Sequence, residues 1–196
     1  MQNMAEIARS ELILGGQRSG KSRRAEMLAR SWLDAAPDHQ AVLIATATPW
    51  DDEMRARIAR HQQDRAERVP GMQTVEEPLN LAQVITQHSN ARTLVVVDCL
   101  TLWLTHLLMP AGASEEKRPP AQDVAAQIAT LLIATRDCAG PLVLVGNEIG
   151  LGVIPMGRET RDFVDALGRL NQDVAAACQR VTLMAAGLPL TLKGLA

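Results

Sequence analysis

The chain has 196 residues, the length of one domain, since domains run roughly 100–200 residues. Lys and Arg number 20 against 22 Asp and Glu, a net charge of −2 that supplies no basic excess for a nucleic-acid partner. Hydrophobic residues at 47% with 21% charged exclude a disordered chain, and three Trp, one Phe and no Tyr leave an aliphatic core with little for stacking on bases.

In chain order, the segment 1–10 holds Glu6 and Arg9, lacks an apolar signal core, and reads as a loose extension of a single domain spanning 1–196. Glu11–Leu14 is a short apolar strand running into Gly15 and Gly16, and Ser22–Ala36 a helix that stops before Pro37. Val42–Ala45 is a buried strand, and Asp51–Ala66 a charged helix with Asp51, Asp52 and Glu53 at its N-terminus, where carboxylates are favoured. Leu79–His88 is a shorter helix. Thr93–Val97, apolar on both faces, has the pattern of a central parallel strand. Helix Leu100–Met109 precedes a loop, Pro110–Pro120, with three Pro and an EEKR run. Then come helix Gln122–Cys138, strand Leu142–Val145, helix Arg158–Cys178, and terminal strands Val181–Ala185 and Leu190–Leu192 around Gly187 and Pro189. This alternation predicts an α/β fold: a mostly parallel sheet with helices on both faces and an antiparallel C-terminal edge.

No apolar run reaches the ~18 residues that a membrane span requires. Cys99, Cys138 and Cys178 are widely spaced and form neither a C-x-x-C pair nor a zinc signature. The expectation is a cytoplasmic protein with reduced thiols.

Gly15-Gly16-Gln17-Arg18-Ser19-Gly20-Lys21-Ser22 fits G-x-x-x-x-G-K-(S/T) in full, between a strand and a helix. In such a loop the backbone N–H groups cradle phosphate oxygens, the Lys reaches the β- and γ-phosphates, and the hydroxyl ligates Mg²⁺. The helix that follows adds its positive N-terminal end. Leu94–Asp98 is an apolar strand ending in a carboxylate, as a second ligand of nucleotide-bound Mg²⁺ requires. Asp98 is equally placed to cap the next helix.

Arg57, His61 and Arg65 share one stripe of the charged helix at spacings of four. Guanidinium neighbours favour neutral imidazole, a nucleophile, and bind phosphate oxygens. A solvated histidine on a basic helix has the same pattern. Asn147, Glu148, Gly150, Gly152 and Pro155 form an irregular loop at the same sheet edge, read either as a cover over substrate or as a plain connection. Arg158 and Arg161 suit either phosphate or solvent. Trp32 and Trp103 are expected in the core or an interface.

Extended strings carry a resemblance. They are LILGGQRSGKSRRAE, IATATPWDDEMRARIARHQQDR, VVVDCLTLWLTHLL, VGNEIGLGVIPMGRETRDF, GRLNQDVAA and AGLPLTLK, running from residue 12 to residue 193. The chain resembles the bifunctional adenosylcobinamide kinase / adenosylcobinamide-phosphate guanylyltransferase family of cobalamin biosynthesis. The resemblance implies a RecA-like P-loop fold and a homotrimer. It implies phosphorylation of adenosylcobinamide with ATP or GTP, then transfer of GMP from GTP, through a guanylylated histidine, to adenosylcobinamide phosphate. It places that histidine at His61 and the nucleotide loop at Gly15–Ser22, with Lys21 catalytic and Ser22 and Asp98 toward Mg²⁺. Further nucleotide contacts fall on Ala45, Thr46, Ala47, Gln62, Gln63, Asp64, Arg65, Glu76 and Asp98. The chain departs from the family pattern at Met72 or Gln73 (an aromatic), Ala66 (Pro) and His106 (Asn). Two narrower activities compete with the full reading: guanylyl transfer alone, or a single-function P-loop small-molecule kinase.

Overall fold

A computed structural model describes residues 7–49, 51–109, 121–153 and 155–194; the side chain of Arg57 and the loop expected at Pro110–Pro120 lie outside the described residues. In chain order the elements are β1 (Ser10–Gly15), α1 (Lys21–Ala35), β2 (Gln40–Ala45), α2 (Asp52–Arg68), β3 (Gln73–Glu76), α3 (Leu81–His88) and β4 (Thr93–Asp98). They continue with α4 (Leu100–Leu108), α5 (Ala121–Asp137), β5 (Leu142–Val145), α6 (Arg158–Ala177), β6 (Arg180–Ala185) and β7 (Leu188–Lys193).

The strands form one sheet of seven in the order β3-β2-β4-β5-β1-β6-β7. Every pairing is parallel except β6 with β7. Successive strand residues point to opposite faces, and the two cores follow that alternation. Leu12, Ile44, Val95, Val97 and Leu144 face α3, α4, α5 and α6, while Ile13, Leu43, Leu94, Val96 and Val143 face α1 and Val69 after α2. Burial on both sides explains the unbroken apolar runs of the central strands. Trp103 of α4 is 1% exposed and donates its indole N–H to the Leu79 carbonyl at 2.9 Å. Trp32 of α1 stacks on His39, ring centroids 3.8 Å apart, and donates to the Arg92 carbonyl at 3.1 Å. Both indoles therefore belong to the packed body.

Three expectations need correction. The loose extension expected over 1–10 ends before its last residues. Ala8 is buried, the Arg9 guanidinium donates to the Arg136 carbonyl at 2.6 Å, and β1 begins at Ser10. Residues 1–6 lie outside the described residues. β3 is a strand where the sequence showed only a connection; it is four residues long, at the sheet edge and mostly exposed, so it carries no apolar run. β7 begins at Leu188 and includes Pro189, which an edge strand tolerates because one side of its backbone needs no partner. Among the described residues no helix is long and apolar enough to cross a membrane.

Candidate active site

The parallel register brings the strands' carboxyl ends to one level. Ala45 pairs with Glu76 on one side and with Asp98 on the other, and Asp98 pairs with Val145. Open α/β sheets bind ligands outside these ends. The Gly15–Ser22 loop leaves β1 at this edge and enters α1 through Gly20, whose φ of +101° is left-handed. A Cβ on Gly15 would sit 2.5 Å from Ser19 Oγ and 2.6 Å from the Met184 carbonyl oxygen, so only glycine fits there. The loop thus ends at the positive N-terminal end of a fifteen-residue helix.

Lys21 is buried, and its Nζ donates to the Gly16 carbonyl at 2.6 Å. Burial lowers the Lys21 pKa, and the Asp98 carboxylate opposes that shift. Ser19 Oγ is buried and makes no hydrogen bond. Asp98 is half-buried at the end of β4, and its peptide bond to Cys99 is cis.

The segment after β2 is held from behind. Thr46 Oγ1 donates to the Cys99 carbonyl and accepts from the Cys99 N–H, both at 2.8 Å, and the Thr46 N–H donates to the Asp98 carbonyl at 3.1 Å. His106 Nε2 lies 2.8 Å from the Thr46 carbonyl oxygen. An acceptor there requires a protonated nitrogen, so His106 donates. His106 therefore braces the segment at Thr46.

On the other side the Glu148 N–H donates to the Gly15 carbonyl at 3.1 Å, and the Asn147 N–H donates to Thr101 Oγ1 at 2.9 Å. Asn171 of α6 donates Nδ2 to the Asn147 carbonyl at 3.1 Å. The loop beyond exposes Leu151 (79%), Val153 (96%) and Met156 (96%), and Arg161 donates to the carbonyls of Pro155 and Met156. The described residues of this loop are thus tied to the phosphate loop through Glu148 and to α6 through Pro155 and Met156.

His61 is exposed on α2. Gln62 donates to Glu76 Oε1 at 3.3 Å, which puts this part of the helix beside the end of β3. The other three residues expected at nucleotide have partners elsewhere. Gln63 reaches Glu67 at 3.4 Å, Asp64 pairs with Arg68 at 3.0 Å, and Arg65 is buried with Nη1 3.3 Å from Thr74 Oγ1 and Nε 3.9 Å from Glu26. Sequence reasoning missed Thr101, Asn171 and Glu26. Each acts through a contact between distant segments, and only the buried carboxylate on the core-facing side of α1 leaves a trace in the sequence.

For a divalent cation the fit is simple. Among the described residues no three His, Cys, Asp or Glu side chains form a metal cage. Nucleotide-bound Mg²⁺ needs none, since one or two oxygen ligands suffice beside the phosphates. Ser22, in the first turn of α1, and Asp98 supply hard oxygens at one edge.

Comparison with known proteins agrees with the geometry. The model of the family described as cobinamide kinase / cobinamide phosphate guanyltransferase matches residues 11–192. The bifunctional adenosylcobalamin biosynthesis protein CobP of Pseudomonas aeruginosa is 45% identical over 184 residues, covering 94% of this chain and 97% of that protein. The bifunctional adenosylcobalamin biosynthesis protein CobU of Escherichia coli is 37% identical over 187 residues, 93% and 98% of the two chains. The flagellar accessory protein FlaH of Methanocaldococcus jannaschii shares the fold alone, with a TM-score of 0.50 at 11% identity over 96% of this chain and 79% of that one. With its RecA-like P-loop architecture and a family match over nearly its whole length, the chain belongs to the cobinamide kinase / cobinamide phosphate guanyltransferase family.

Proposed function

We propose that one sheet edge serves both reactions: phosphorylation of adenosylcobinamide with ATP or GTP, then GMP transfer from GTP to the product through His61. The observation that carries this reading is the Gly15–Ser22 loop, with Lys21 buried and Asp98 at the same sheet edge, in a chain of this family. In the kinase step the substrate hydroxyl oxygen attacks the γ-phosphorus, the bond to the bridging oxygen breaks, and the nucleoside diphosphate leaves. The loop N–H groups and Lys21 hold the charge that gathers on the phosphates.

In the transferase step an imidazole nitrogen of His61 attacks the α-phosphorus of GTP. The α–β bond breaks, pyrophosphate leaves, and GMP is held as a phosphoramidate. An oxygen of the corrinoid phosphate then attacks that phosphorus, the P–N bond breaks, and His61 regains its lone pair. Dividing the transfer spares two large anions from meeting directly. Mg²⁺, held by Ser22 and Asp98, would neutralise phosphate charge and orient the leaving group. Gln62 and Glu76, bonded to each other, and the braced Ala45–Ala47 segment are the nearest candidates for nucleotide contact.

We assign the apolar rim of Leu151, Val153 and Met156 to the corrinoid, because its loop is tied to Gly15 and the acceptor must approach the phosphate loop. We also propose a cytoplasmic homotrimer. The exposed Leu188, Leu190 and Leu192 of β7 offer apolar surface for assembly, and three free cysteines suit a reducing compartment.

Intact mass after incubation with Mg²⁺ and GTP tests the central claim. The parent should gain one GMP, lost in acid and kept in base, and His61→Ala should gain none. GTP binding without an adduct in the parent would overturn the covalent route and leave a kinase.

A further inference from the structure

We propose that Glu26 is a positioning residue for guanylyl transfer: it sets the height of His61 against the phosphate loop. The proposal rests on the reading of His61 as the guanylyl acceptor.

Glu26 lies on α1, five residues after Lys21, and is 3% exposed. Two arginines of α2 converge on it. Arg68 Nη1 donates to Oε2 at 2.6 Å, and Arg65 Nε lies 3.9 Å from Oε1. Arg65 also reaches Thr74 of β3 at 3.3 Å, and Arg68 reaches Asp64 at 3.0 Å. Val69, directly after the helix, is buried in the core under α1. The earlier turns of α2 are held far less. Among the described residues of 52–61, only Met54 and Ile58 are half-buried, and no hydrogen bond or ion pair joins these residues to another element. The ionic joint at the foot of α2, with the Gln62–Glu76 contact, determines where His61 stands.

Topology gives the joint its meaning. α1 and α2 each follow a parallel strand and precede another, so both run from the carboxyl edge of the sheet back toward its amino edge. Arg65 and Arg68 both reach Glu26, so the level of Glu26 on α2 lies at Arg65 or within one turn beyond it. From Arg65, the distances back along the two helices are similar. Four residues back along α2, about 6 Å of rise, is His61; five residues back along α1, about 7.5 Å, is Lys21. His61 and Arg65 share a face at this spacing, and Arg65 faces α1. The joint therefore places the exposed His61 within about one turn of the level of the loop lysine, on the face of α2 that Arg65 turns toward α1. An acidic side chain inside α1 is kept buried because two guanidinium groups meet it, and a lone buried charge would be strongly unfavourable.

The kinase step uses the loop and not His61, so the two half-reactions separate positioning from general damage. Glu26→Gln and Arg68→Ala are compared with the parent in two single-turnover assays: GMP adduct formation with Mg²⁺ and GTP, and phosphoryl transfer from ATP to cobinamide. The adduct rate should fall at least tenfold in both variants, with phosphoryl transfer within twofold of the parent. Arg68→Lys, which keeps the charge, should recover most of the adduct rate. Parallel loss of both activities would make the joint merely structural and overturn the proposal, as would an unchanged adduct rate. Should Glu26→Gln fail to fold, Arg68→Ala and Arg68→Lys decide alone, since Arg68 is partly exposed. A parent that forms no adduct overturns the His61 reading and this proposal together; a parent with an adduct and unimpaired variants overturns this proposal only.

Discussion

The backbone N–H of Gly187 donates to the carbonyl of Ser19 at 3.0 Å, tying the β6–β7 turn to the crown of the phosphate loop. The turn residues Ala186 and Gly187 have φ of +52° and +79°, the two positive values that a tight two-residue hairpin requires. A Cβ on Gly187 would meet nothing within 4 Å, so substitution there tests conformation alone. Gly187→Ala should cost about 1–2 kcal/mol and lower Tm by roughly 2–4 °C per kcal/mol, read by thermal unfolding. Ala186→Asn should raise Tm, because asparagine tolerates the left-handed region better than alanine.

Lys21→Ala should weaken both half-reactions by about a hundredfold or more, the scale of losing one transition-state donor. Steady-state kcat/KM for phosphoryl transfer and the GMP adduct rate would measure it. Because burial disfavours the Lys21 ammonium more than its neighbours favour it, the variant without nucleotide should be no less stable than the parent. An effect on one half-reaction alone would mean that the two reactions use different phosphate sites.

Stability should decline at alkaline pH, and the sign follows from Cys99. Burial, aided by the Asp98 carboxylate, pushes its thiol from the ordinary 9.0 up to about 11. The unfolded chain therefore ionises first. The contribution is complete below about pH 9 and is lost as pH rises through about 11. Cys178, raised by burial to about 12, extends the slope. Urea midpoints at pH 8 and 10.5 should differ less in Cys99→Ala than in the parent.

Leu151→Ser combined with Val153→Ser tests the corrinoid rim. Each side chain buried against a ligand is worth about 1.5–3 kcal/mol. The pair should therefore raise the KM for cobinamide by about tenfold or more, with the KM for ATP unchanged. Both side chains are exposed, so Tm should hold.

Much of this architecture is legible in the sequence, for physical reasons. Strands buried on both faces, such as Leu94–Val97, must be apolar throughout, and their runs announce them. The phosphate loop is local, since glycines, lysine and serine act within eight consecutive residues. β3 is hidden because Gln73, Thr74 and Glu76 face solvent on an edge strand and need no apolar pattern. The placement of Arg65 is hidden differently. Its partners Glu26 and Thr74 come from α1 and β3, and no periodicity within α2 tells a phosphate-binding arginine from one buried against a carboxylate. The bracing of Thr46 by His106 and Cys99 joins residues more than fifty positions apart and leaves no local signature.

The scarcity of aromatics has a practical side. With no tyrosine and three tryptophans, ultraviolet emission from the chain is indole emission. Trp103, 1% exposed on α4, should emit at short wavelength, and Trp32, half-buried against an imidazole, should be partly quenched by it. Trp103 is four residues from Cys99, whose carbonyl accepts its backbone N–H at 3.2 Å. Its fluorescence therefore watches the wall of the nucleotide edge, without a label.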